Sequence, residues 1–228
     1  MLSMSNPSPA LGHPVYEHIL EMIMTRQLLP DEKIPENKIA ETFGISRTPV
    51  REAMRQLANE GLINICPKRF AKVARYSPDE ILEIGAMRLS LDTLAVKLCM
   101  LHGSQLDFLN LRRIADEIEQ AHLANDYALR CKHDMQFHGE LANIGKNSLL
   151  IKFQKEINLR VQFIVLNYPN AISNSYDSVV QHIEIADALI AHNEKRALEA
   201  TLKHLAKFYM LDETYPRDFF SYLGIRST

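Results

Sequence analysis

Asp134, His138, His182 and His204 are the side chains whose types and spacing could do chemistry together. Asp134 and His138 are four residues apart, so on a helix they share a face. His182 lies eleven residues before Asn193, and His204 eleven after it. If Asn193 marks the turn between antiparallel helices, both histidines stand at one height, about 16 Å from that turn. Eleven residues are close to three helical turns, so both rings can face the same side. Three imidazoles and one carboxylate meeting between helices would hold a divalent cation. Zinc, nickel, cobalt, manganese and iron all suit this donor set, and affinity order alone does not choose among them. An Asp/His pair by itself is more often a surface pair, and a single histidine on an apolar face is usually a core residue. It is the combination that points to metal. His133, about 100° round the helix from Asp134, and His192, at the turn, fall outside the set. His13, His18, His102 and His122 show no partner pattern and read as surface residues.

The site needs a helical scaffold, and the sequence supplies one. Ser77-Pro78-Asp79-Glu80 is a helix start: a serine cap, a proline at the first helical position and a glutamate completing a capping box. Beyond it the spacing predicts helices near 78–102, 105–124, 126–144, 147–167, 175–192 and 194–211. Gly103, Asn125, Gly145 and Asn193 mark their ends, and Tyr168 to Tyr176 is the longest loop. No strand pattern interrupts them, so this part is an all-α antiparallel bundle. A catalytic metal site would want a base beside its bound water. Glu140 and Glu184 lie two residues from His138 and His182, and so point away. The expectation is therefore a binding site and not an enzyme.

A second stretch organises the other end of the chain. Asn37 to Leu62 reads as a short helix from Lys38, a turn at Gly44 and a second helix. Ser46 or Thr48 can cap that second helix, with Pro49 in its first turn. Val50, Ala53, Met54, Leu57 and Leu62 form its buried stripe. Arg47, Thr48, Arg51, Arg55 and Asn59 lie on the opposite face, which suits a recognition helix in the major groove of DNA. A first helix, His13 to Leu28, precedes the pair. Leu62 to Cys66 and Phe70 to Ala74 read as a hairpin around the basic turn Pro67-Lys68-Arg69. Three helices and a small β-hairpin make a winged helix-turn-helix. Arg47 and Arg51 could each reach guanine O6 and N7. Arg55, Lys68 and Arg69 are candidates for phosphate.

Composition agrees with a two-part chain. The 228 residues suffice for two modest domains, and 46% hydrophobic content for a sizeable core. The net charge of −2 does not announce nucleic-acid binding, but its distribution does. Between Arg47 and Arg75 seven Lys and Arg oppose only Glu52 and Glu60, whereas from Tyr76 onward sixteen basic residues face twenty acidic ones. Cys66, Cys99 and Cys131 are scattered and lack CxxC spacing, as expected of reduced thiols in a cytoplasmic protein. The first residues lack the basic and apolar regions of a signal peptide, and no apolar run reaches membrane-span length. The expected organisation is a disordered lead-in over 1–12, a DNA-binding domain over 13–75, an effector and dimerisation domain over 76–212 and a tail over 213–228.

Two resemblances sharpen these readings. ISRTPVREAMRQLANEGLI resembles the DNA-binding signature of the GntR family of bacterial transcription regulators. Asp31 follows Pro30 where that family usually has Pro-Gly, Phe70 stands where a wing glycine is usual, and Asn37 where an arginine often touches DNA. DMQFHGELANIGKN with QHIEIADALIAHNEKRALEATLKHL resembles the FCD ligand-binding domain of FadR-type members. Many of these carry Asp-x3-His and one histidine on each of two later helices, binding metal; all four positions match. The resemblance implies a homodimeric repressor or activator that reads an inverted-repeat operator. Its effector, commonly a small carboxylate, would sit at the metal. Arg88 matches a family arginine and would clamp that carboxylate or pair internally with Asp92. Asn147 matches a recurrent asparagine that can also cap a helix, and Arg160 is a further pocket candidate. A purely structural metal stays open as an alternative, as does a metal-dependent enzyme fused to a winged helix.

Overall fold

The computed structural model describes residues 12–66, 70–168 and 175–216. The chain folds as two units, Met1–Arg75 and Tyr76–Thr228.

In the first unit, α1 (Gly12–Met24), α2 (Glu36–Phe43) and α3 (Arg47–Asn59) precede an antiparallel hairpin of β1 (Ile63–Cys66) and β2 (Phe70–Val73). Val15, Ile19 and Ile23 of α1 bury their stripe with Val50, Ala53, Met54 and Leu57 of α3. This is the apolar back expected of the recognition helix. Gly44 ends α2 at φ 62°, where a side chain would be strained, and its N–H reaches Ala40 and Glu41 carbonyls. Ser46 occupies the cap position of α3 but makes no side-chain cap bond. The first helix is shorter than the sequence suggests. Arg26 turns left-handed at φ 60°, and the Leu28 N–H folds back to the Met22 carbonyl, burying Leu28 in the turn.

Asp31 takes the conformation that glycine would favour, φ 69°. Its carboxylate offsets that strain by accepting from Lys72 at 2.6 Å and from Arg75. Backbone bonds from Ile34 N–H to the Ala71 carbonyl and from Val73 N–H to the Glu32 carbonyl lay residues 31–34 along β2. The root of the wing is thus pinned on one side. Pro67, Lys68 and Arg69, the expected wing tip, lie outside the described residues.

The second unit is helical throughout its described residues: α4 (Pro78–His102), α5 (Gln105–Leu123), α6 (Tyr127–Ile144), α7 (Ser148–Asn167), α8 (Tyr176–Ile190), α9 (Glu194–Tyr209) and the short α10 (Leu211–Thr214). The six long helices begin and end within two residues of the sequence expectation, because their stops are local chemistry. Ser77 and Glu80 make a reciprocal capping box, Ser104 and Asp107 make another, and Asp126 and Asn193 accept from the first turns of α6 and α9. The added α10, with Leu211 fully buried, carries helix past the expected end of the bundle. Helix α4 is central, packing on α6, α7 and α9, while α5 packs on α6 and α8. At Gly85 the backbone of α4 lies against Tyr209, and an added Cβ would stand 2.5 Å from that ring.

Candidate metal centre and DNA-facing helix

Three helices of the bundle bring four donors together. Asp134 and His138 come from one face of α6, His182 from α8 and His204 from α9. One ligand atom from each lies within 4.8 Å of all the others. The His182 and His204 ring centroids are 4.3 Å apart, and His138 stacks against His204 at 5.4 Å. All three histidines are buried, whereas the Asp134 side chain keeps 17% of its surface exposed.

The orphaned polar atoms test whether a cation fits. His138 Nε2, His182 Nε2 and His204 Nδ1 are buried without a hydrogen-bond partner. Folded proteins rarely leave three such lone-pair atoms unsatisfied in one place. His182 Nε2 stands 3.1 Å from Asp134 Oδ1, close but not aligned as a hydrogen bond. Converging nitrogens beside an ionised carboxylate are what a divalent cation requires, so the residues fit the group.

Protonation states favour the same occupant. Burial and the nearby Arg88 charge push the His138 imidazole down, against Asp92. Burial, with His182 and His138 alongside, holds His204 well below the usual range. Neutral rings keep their lone pairs. Burial would raise the Asp134 carboxyl, but His182, His138 and Arg88 outweigh it and hold it well below the carboxylate range.

A buried polar shell surrounds these residues. Arg88 is 1% exposed, with Nη2 3.3 Å from Asp134 Oδ2, Nε 3.6 Å from Asp92 Oδ2 and Nη1 donating to the Tyr209 hydroxyl at 3.4 Å. Asp92, fully buried, lies 2.8 Å from His138 Nδ1 and accepts from Gln154 at 2.9 Å. Gln154 also donates to Asn158, whose amide donates to the Met135 carbonyl. Burial pushes the Tyr209 phenol up to about 12 against the Arg88 charge, so it stays protonated. Sequence reasoning names Asp92 only as an ion-pair partner and misses Gln154, Asn158 and Tyr209. The available signal is Gln154 and Asn158, an i,i+4 polar pair on the otherwise apolar side of α7.

The other expected pocket residues are placed differently. Asn147 is exposed, and its Oδ1 accepts from Leu149 and Leu150 N–H groups, so it caps α7. Arg160 is half-buried on α7, where its charge acts on the Tyr76 phenol. Glu140 and Glu184 face away from the cluster, towards Asn110 and Lys203.

On the first unit, Arg47, Thr48 and Arg55 are exposed along α3. Arg51 is held instead: its Nε donates to Glu36 Oε1 at 2.7 Å. Glu36 side-chain exposure is only 15%, and Lys33, Lys38, Arg47 and Arg51 line the groove around it. A helix with arginines at its N-terminal end beside a basic groove suits a duplex major groove.

Known proteins carry both halves. Residues 11–73 match the gntR family of bacterial regulatory proteins, and residues 83–207 match the FCD domain. The chain is a GntR-family transcriptional regulator with an FCD domain. This regulator is 26% identical over 192 residues to the uncharacterized HTH-type transcriptional regulator YdhC of Bacillus subtilis, covering 83% of the chain and 85% of that protein. It is 26% identical over 219 residues to the HTH-type transcriptional repressor NanR of Escherichia coli, with 86% and 81% covered. In fold it resembles a GntR regulator from Rhodococcus sp. RHA1, with a TM-score of 0.74 and 19% identity over 90% of this chain and 99% of that one. E. coli McbR/YncC superposes with a TM-score of 0.72 at 19% identity, covering 86% and 93%. These families are DNA-binding regulators and not enzymes. No helix among the described residues is long and apolar enough to cross a membrane.

Proposed function

We propose that this regulator binds a divalent metal through Asp134, His138, His182 and His204, and that a small carboxylate effector bound there changes its operator affinity. The convergence of three buried, unpartnered imidazole nitrogens on an ionised carboxylate carries the reading. When bound, the ion supplies a Lewis acid able to take a carboxylate oxygen. The partial exposure of Asp134 supports an effector role over a purely structural ion, since a sealed site would admit nothing.

The chain's own residues do the rest. Asp92 and Gln154 hold His138 in orientation, as outer-shell partners of metal-binding histidines do. Arg88 keeps Asp134 ionised. Two carboxylates already balance its charge, so it assists an effector carboxylate rather than carrying it alone. Arg47, Thr48 and Arg51 read base edges, and Arg55, Lys68 and Arg69 meet phosphates.

The protein acts as a homodimer on an inverted repeat, matching two-fold symmetry. The apolar row Met87, Leu94 and Leu101, exposed at seven-residue spacing on α4, supports self-association, as do Leu149 and Phe153 on neighbouring α7. Effector binding selects between dimer geometries that differ in operator fit.

The test is operator binding by fluorescence anisotropy, comparing metal-stripped, metal-loaded and metal-plus-carboxylate protein on DNA from the regulator's own promoter. A carboxylate effect that needs metal and vanishes in His182→Ala supports the proposal. Identical binding in all three states refutes it.

A further inference from the structure

Lys33 and Lys38 have no role in the functions assigned above, yet they share a groove with the recognition helix. Lys33, Lys38, Arg47 and Arg51 line it, and Phe70 of β2 forms part of its wall. The acidic residue in that wall, Glu36, is already bonded to Arg51. Among the described residues no carboxylate pairs with Lys33, Lys38 or Arg47, whereas Arg51, Lys72 and Arg75 of the same unit each have one. One groove thus carries three exposed cations without a counter-charge. A cleft lined by one sign of charge focuses its field, so it draws a polyanion more strongly than scattered charges do.

Lys33 is held in place. On either side of it, Ile34 N–H donates to the Ala71 carbonyl and Val73 N–H to the Glu32 carbonyl, each at 2.9 Å. Residue 33 itself bridges Lys72. Its ammonium lies over the Phe70 ring, 5.4 Å from the centroid. A ring face attracts an ammonium and so narrows where the charge can go. A lysine restrained in this way loses less rotamer freedom when it meets an anion. Lys38 is placed by α2, exposed one residue before the buried Ile39. In helix-turn-helix proteins the helix before the recognition helix crosses the sugar-phosphate backbone.

We propose that Lys33 and Lys38 grip the phosphates of one operator strand in this groove, and that Phe70 is a positioning residue that holds Lys33 towards them. With α3 in the major groove, the strand bordering that groove passes beside Arg47, and so along the cleft that both lysines share. These contacts anchor the protein without reading sequence. The inference rests on α3 lying in the major groove and is independent of the metal centre.

The experiment is fluorescence anisotropy of full-length protein on two labelled duplexes, one selected by wild type from a random pool and one of scrambled sequence, between about 50 and 200 mM salt. Lys33→Gln and Lys38→Gln should each reduce the slope of log affinity against log salt by about 1 per half-site. The same rise in salt then costs each variant about three- to fourfold less affinity per half-site than it costs wild type. At fixed salt both duplexes should weaken alike, leaving their affinity ratio within about twofold of wild type. Lys33→Arg and Lys38→Arg keep the charge and should keep the slope. Phe70→Leu should reproduce part of the Lys33→Gln change, while Phe70→Tyr, which keeps a ring face, should not. Lys195→Gln, at an exposed lysine of the helical unit, controls for lost charge alone. An unchanged slope in either glutamine variant overturns the inference, as does a fall matched by Lys195→Gln or a loss confined to the selected duplex. A wild-type slope in Phe70→Leu removes Phe70 from it. Arg47→Ala separates this inference from base reading by α3. Loss of the preference for the selected duplex upholds base reading even where the lysine slopes fail. A preference left intact beside reduced lysine slopes refutes base reading by Arg47 and leaves the phosphate contacts standing.

Discussion

Stripping the metal and replacing one ligand should move the melting of the helical unit by a calculable amount. All four candidate donors lie within Tyr76–Thr228, so an ion bound there should stabilise that unit and leave the winged helix alone. An ion binding only the folded state at a thousand times its Kd contributes about 4 kcal/mol. For a unit of this size each kcal/mol shifts Tm by roughly 2–4 °C, so saturation should raise it by about 8–16 °C. His204→Ala removes one donor and should abolish most of that rise. Without metal the same substitution should be nearly silent, because losing an orphaned ring nitrogen relieves about 1–3 kcal/mol and the cavity left behind costs a similar amount. Differential scanning calorimetry of chelator-treated protein, titrated with zinc, nickel, cobalt and manganese, reads both transitions. The reasoning fails if no ion raises Tm, or if wild type and His204→Ala rise equally, which would put the ion elsewhere.

Three further outcomes follow from individual contacts. Glu36→Gln should loosen Arg51 and cost about 1–3 kcal/mol of discrimination at one operator base, while leaving salt dependence unchanged; binding to a set of single-base operator variants checks it. Gly85→Ala should destabilise the bundle by about 1–3 kcal/mol in urea, because the new methyl meets the Tyr209 ring. Hydrogen bonds from Lys72 and Arg75 hold the Asp31 carboxyl below its ordinary range, so its contribution is present above about pH 4 and is lost as pH falls through the depressed value. Asp31→Asn should therefore flatten the acid limb of winged-helix unfolding, and an unchanged limb would show that Asp31 contributes nothing.

Much of the architecture is legible because its signals are local. Ser77 with Glu80, Ser104, Asp126 and Asn193 bond within one turn of themselves, so helix starts can be read from a few consecutive residues. The first helix stops short of its sequence pattern because its end depends on Leu28 burying itself in the turn, a tertiary contact. Spacing also proposes the four donors, since equal distances from one turn are a matter of helical geometry. What sequence alone could not supply is the surroundings. Arg88 meets Tyr209 across 121 residues and Gln154 meets Asp92 across 62, separations at which no periodicity speaks. Asn147 fits a family pattern equally well as a pocket residue or a cap, and the structure gives it the cap. Asp31, a departure from the expected glycine, makes sense only with Lys72 and Arg75 beside it. The sequence by itself determined the family, the helices and a set of candidate ligands, because these rest on motif and period. Only the tertiary structure decided which polar atoms are buried without partners, because burial and pairing depend on what distant segments bring to the same place.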